Sequence, residues 1–252
     1  MTTPTTTRTA TPLVDRLPPR VRDEEPRLLV PIALSAALLA WSSFANLVLG
    51  ETAYLARNLV LTAVLLGAAH RLGLTGEELG LRRARVRRGV MHGVVAMAVV
   101  IVVVGSAAAL REVIPLAGAL LDDDRAELTS AQTAYHVLVR IPLGTAVFEE
   151  VAFRGVLLAV LLRRLPPATA TVWAAAVFGL WHVAPTIVAL RINQVAASTT
   201  VGLSAIAGAV LVTAVAGVGF TWLRLRGGHL VAPVLAHWAT NGAGLVAAAG
   251  TG

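Results

Sequence analysis

The chain has 252 residues, 56% hydrophobic and 14% charged, with a mean hydropathy of +0.75. A soluble domain would carry about 25% charged residues, so one water-soluble core is excluded. The composition predicts an all-α protein, a polytopic transmembrane helical bundle of about seven spans. The formal charge of +7 comes from Arg alone, because the sequence has no Lys, and Cys is absent as well. Disulfides, thiolate metal sites and a Cys nucleophile are thereby ruled out.

Residues 1–27 are polar and rich in Thr, Pro and Arg, and are expected to form a disordered tail rather than a signal peptide. The first span is expected over 28–49 and the second over 52–69, joined by a tight hairpin at Gly50-Glu51. Residues 71–90 then turn basic, with Arg82, Arg83, Arg85, Arg87 and Arg88 crowded together, which reads as a solvated cytoplasmic loop. The third span is expected over 90–110. It leads into an acidic loop containing Asp122, Asp123, Asp124 and Glu127, which lacks the alternating ligand spacing of a calcium loop. Residues 28–130 thus form an N-terminal set of helices and loops.

The fourth helix is expected to start near Ala131 and to run beyond 30 residues to Arg163-Arg164, with Pro142 predicting a kink. Further spans follow over 168–190, 201–223 and 229–248. With the N terminus inside, the basic residues of the tail, of the 82–88 cluster, and Arg163, Arg164, Arg224 and Arg226 all fall on the cytoplasmic side. The outer loops hold only Arg111, Arg125 and Arg191. Arginines placed between apolar runs suit the anionic headgroups of a lipid bilayer and argue against a nucleic-acid partner.

Within the fourth helix, Glu149, Glu150 and Arg154 interrupt an otherwise almost wholly apolar run. Ionised groups in the bilayer are costly, so they mark a site by default. Glu150 and Arg154 stand at i, i+4 on one helical face and are expected to pair. That leaves Glu149 needing a proton, a water or a group from another helix. Two further helices carry polar groups at comparable depth: His182 in the run from Phe178, and His237 with Asn241 one turn apart. At ~1.5 Å per residue, His182 and Glu149 lie about 21 Å, and His237 about 12 Å, from the inner ends of their helices. Gly155, Gly179 and Gly242 beside these residues would let the helices approach closely, while Trp181 and Trp238 are most simply packing.

A carboxylate desolvated in a membrane cavity becomes a stronger base. Glu149 would take a proton from water, with His182 holding that water or sharing the proton. His237 and Asn241 would donate to the oxygen that becomes negative in the tetrahedral intermediate. Three other readings compete. Two His and a Glu could ligate zinc, although His-Glu-x-x-His is absent. Intramembrane Glu and His also suit a proton-coupled transporter, and the same cavity could belong to a non-catalytic immunity or scaffold protein.

Glu149-Glu150-x-x-Phe153-Arg154, then Phe178-x-x-x-His182, then His237-x-x-x-Asn241 resembles the CPBP family of intramembrane glutamic endopeptidases. That family contains the type II CAAX prenyl endopeptidases and the bacterial abortive-infection-type membrane proteases. The resemblance covers residues 131–248 as a catalytic membrane domain. It implies hydrolysis of a peptide or membrane-protein substrate by a glutamate-activated water, with no metal and no cofactor. The catalytic set it implies is Glu149, Glu150, Arg154, His182, His237 and Asn241. Together with the coding bias suggested by Arg in place of Lys, it points to a bacterial cell membrane.

Overall fold

The computed structural model of the protein describes residues 28–110, 113 and 128–249. The N-terminal tail and the acidic run at 122–127 lie outside these residues. Among the described residues every regular element is a helix. In chain order they are α1 (Leu29–Phe44, extended by a wide turn at Ala45–Leu49), α2 (Tyr54–Arg71), α3 (Val86–Ala109), α4 (residues 130–162), α5 (Pro167–Trp181), α6 (Val183–Ile192), α7 (Thr200–Gly227) and α8 (Val231–Ala249). Among the described residues four segments are long and apolar enough to cross a membrane: Leu29–Leu49, Arg83–Ala109, Pro167–Ile192 and Thr200–Gly227. Seven spans were expected. The other long helices, α2, α4 and α8, carry the polar groups that face the interior of the bundle.

The helix α4 is the axis of the bundle. Residues 148–161 are all buried, and a helix enclosed on every side is a core element with no lipid face. Its first turn is set by sequence: Thr129 accepts from the Gln132 amide while the Gln132 side chain bonds back, closing a capping box. Helix α3 is the opposite case. Val90, Met91, Val94, Val95, Val99 and Val102 are exposed along it, as expected of a lipid-facing helix.

Around Pro142, where a kink is expected, the helix runs as a stretch of π-helix over His136–Ala146. In that pattern the N–H of residue i bonds the carbonyl of i−5. Proline at 142 has no N–H to give Val137. The indole of Trp238 supplies it, with Nε1 donating to the Val137 carbonyl at 2.7 Å.

Proline also divides the helix expected over 168–190. Pro185 cannot donate to the Trp181 carbonyl, so the helix breaks at His182 and resumes as α6. Ser42 of α1 donates to that freed carbonyl at 2.7 Å.

The loop after α2, expected to be merely solvated, is folded. Leu74 and Leu79 are buried. Arg163, at the end of α4, donates to the carbonyls of Leu72 and Gly73 and to both carboxylate oxygens of Glu78. Arg224 of α7 donates to the carbonyls of Glu77 and Glu78. The Gly80 carbonyl accepts from the Leu230 amide. These contacts gather the 72–82 loop, the end of α4 and the α7–α8 junction at one end of the bundle.

Candidate active site

Of the six residues singled out in the sequence, four are in direct contact. Glu150 is fully buried, and its Oε1 accepts from Arg154 Nη1 at 3.0 Å and pairs with His237 Nδ1 at 2.8 Å. The expected intrahelical ion pair therefore exists, and it also holds a histidine. A carboxylate paired with a guanidinium is ionised and can only accept. His237 Nδ1 must then carry the proton, which leaves Nε2 as the lone-pair nitrogen. Nε2 lies 3.8 Å from Glu149 Oε2.

Glu149 is 7% exposed. The group it needed comes from another helix: Trp181 Nε1 donates to its Oε1 at 3.2 Å. Its Oε2 has no hydrogen-bond partner among the described residues. The carboxylate is thus anchored by one oxygen and presents the other towards His237. Trp181 was expected only to pack. It does so against Phe148 and Phe153, but an indole N–H one position before His182 was the signal for this second role.

Aromatic rings from α5 and α7 box the charges. The Arg154 guanidinium lies 4.0 Å from the Phe178 ring centre and 5.1 Å from that of Phe220. Cation–π contacts of this kind gain strength when desolvated. Phe220 stacks on the His237 imidazole at 5.1 Å and 14° between planes. Phe220 was not legible in the sequence, because an apolar side chain in an apolar helix carries no local mark.

His182 occupies the helix break. Its Nδ1 lies 2.7 Å from the Phe178 carbonyl, an oxygen that can only accept, so Nδ1 is the protonated nitrogen and Nε2 is left as an acceptor. The ring is half-buried. Asn241 is half-buried, and its amide makes no hydrogen bond among the described residues. The expected partnership of His237 and Asn241 as two free donors does not form, because Glu150 occupies His237 Nδ1. Among the described residues no three of His, Asp and Glu are arranged to hold a metal ion.

Of the three glycines expected to allow close approach, only Gly179 sits at one. A Cβ there would lie 2.6 Å from the Val210 carbonyl of α7, whereas at Gly155 and Gly242 the nearest atoms are at ordinary contact distance.

Residues 131–243 match the family model of type II CAAX prenyl endopeptidase Rce1-like proteins. This part of the chain is similar to the CAAX protease family. No curated protein and no solved structure gave a significant match. The matched segment contains all three motifs, together with Trp181 and Phe220. It excludes α1, α2 and α3, which nevertheless pack on it through Ser42 and other side chains.

Proposed function

We propose that this protein is an intramembrane endopeptidase that hydrolyses a peptide bond with a water activated by Glu149. The family supports protease activity in general. The observation that carries the finer reading is the pair of acceptors formed by Glu149 Oε2 and His237 Nε2, 3.8 Å apart. Two hydrogen bonds of ~2.8 Å on that base close a triangle, so one water can donate a hydrogen to each. Its lone pairs then point away from both acceptors and towards a substrate carbonyl.

In the reaction the water oxygen bonds to the carbonyl carbon as Glu149 takes its proton, and the carbonyl oxygen becomes negative. The free amide of Asn241 is suited to donate to that oxygen. Glu149 then returns the proton to the amine as the C–N bond breaks, yielding a carboxylic acid and an amine. Glu150 and Arg154 fix the tautomer and position of His237. His182, through its free Nε2, can relay the proton.

The seven-span arrangement with a cytoplasmic N terminus, and placement in a bacterial membrane, belong to the same proposal. They rest on the Arg distribution and on the gathering of Arg163 and Arg224 at one end of the bundle.

The test is Glu149→Gln in the purified full-length chain. This variant keeps the shape and the contact with Trp181 but cannot take a proton. Peptides released by wild type and absent with the variant, read by mass spectrometry of new termini, are the expected result. Equal cleavage by both would overturn the base role. Retention of activity in a strong chelator separates this chemistry from a zinc site.

A further inference from the structure

We propose that Tyr54 of α2, outside the segment that matches the family, is a further residue of the active site. In this reading, which rests on the protease proposal above, the hydroxyls of Tyr54 and Thr145 together present one hydrogen-bond donor to a substrate carbonyl beside Glu149.

Thr145 stands on α4 one turn before Glu149. A helical threonine commonly satisfies its own hydroxyl by donating to the carbonyl four residues earlier. Thr62, Thr171, Thr186, Thr213, Thr221 and Thr240 all do so. Thr145 is not among them. It lies in the π-helical stretch His136–Ala146, and its Oγ1 is 2.8 Å from the Tyr54 hydroxyl. Two hydroxyls that share one hydrogen bond own two protons and use one. Whichever donates to the other, one O–H is left to give. Thr145 and Glu149 stand at i, i+4 on α4, so the uncommitted donor lies within a turn of the base.

The surroundings hold that donor in place. Asn58, buried one turn along α2, donates to the Gly144 carbonyl at 2.8 Å. A Cβ at Gly144 would lie 3.1 Å from the Tyr54 ring, tighter than such contacts normally are, so glycine is what lets the phenol reach Thr145. The guanidiniums of Arg140 and Arg57 lie 4.3 Å and 5.2 Å from the centre of the same ring. Both immobilise the ring, and their positive field favours an oxygen that gains negative charge. With His237 Nδ1 committed to Glu150, the Asn241 amide is another free donor of the site. The hydroxyl pair supplies a second from the α2 side.

The experiment uses the full-length chain in nanodiscs with Tyr54→Phe, Thr145→Ala, Thr145→Ser and the double variant Tyr54→Phe/Thr145→Ala, beside Glu149→Gln. Tyr54→Phe keeps the ring between the two arginines and removes only the hydroxyl. It should lower kcat ~10²-fold, the scale of one oxyanion donor, with KM and melting temperature nearly unchanged. Because the pair acts as one donor, the double variant should be no worse than either single variant. Thr145→Ser keeps a hydroxyl and should keep activity, whereas Thr145→Ala should not. Tyr54→Phe with wild-type kcat, or losses that multiply in the double variant, would overturn the assignment. So would a fall in activity only in parallel with melting temperature. An inactive wild type, or an active Glu149→Gln, would instead sink the protease reading itself.

Discussion

Arg154→Ala tests whether the buried charge cluster is a scaffold. The substitution removes the guanidinium that neutralises Glu150 and leaves that carboxylate, 0% exposed, facing only His237. Breaking a buried ion pair by deleting one partner costs about 3–5 kcal/mol. The cation over Phe178 and Phe220 is lost with it, and that loss is part of the same figure. For a chain of this size each kcal/mol moves the melting temperature by about 2–4 °C, so the transition should fall by about 6–20 °C. The assay is a thermal melt of the purified protein in detergent. The companion variant replaces both Glu150 and Arg154 with Met. Apolar residues in place of a whole buried pair are often neutral, and the remaining loss is the His237 Nδ1–H left without an acceptor, about 1–3 kcal/mol. The double variant should therefore melt above Arg154→Ala while losing activity, since His237 is no longer held. A single variant within about 1 kcal/mol of wild type would refute the reasoning, because the pair would then carry no structural weight.

Three further outcomes follow from the same geometry. Asn241→Ala should lower kcat about 10²–10³-fold with little change in KM. Since its amide makes no hydrogen bond among the described residues, the melt should shift by less than the roughly 0.6 kcal/mol typical of interhelical hydrogen bonds; a stable variant with normal kcat would remove Asn241 from the site. At Glu78, burial alone would raise the carboxyl, but hydrogen bonds from Arg163 and Thr75 win and hold it below its ordinary value of 4.5. Its contribution to stability is therefore complete above that value and is lost as pH falls through the lowered folded value. Melts taken through this acid range should decline less steeply for Glu78→Gln than for wild type, and parallel curves would contradict the linkage. Single cysteines can be placed freely because the chain has none. Labelling of intact cells with an impermeant maleimide should modify position 193 and spare positions 85 and 164, and the reverse pattern would invert the proposed topology.

The sequence by itself determined the class of the protein and most of the candidate site. Apolar runs too long for a soluble core can only be satisfied as helices in lipid, where every backbone group must bond within its own segment. Charges are so costly there that Glu149, Glu150, Arg154, His182 and His237 announced themselves by residue type alone. Their helical spacing predicted the Glu150–Arg154 pair, because i, i+4 geometry is local. What the tertiary structure decided was which group meets which across helices. Spacing along α8 put His237 beside Asn241, but only packing of α8 on α4 places it between two glutamates and commits its Nδ1. Phe220 and Tyr54 were invisible because a phenyl and a phenol in apolar helices read as packing until their neighbours are known. The wide turn at Pro142 and the break at Pro185 were also beyond a local reading. Proline dictates that a carbonyl is freed, but only the fold shows that Trp238 and Ser42 arrive to satisfy it.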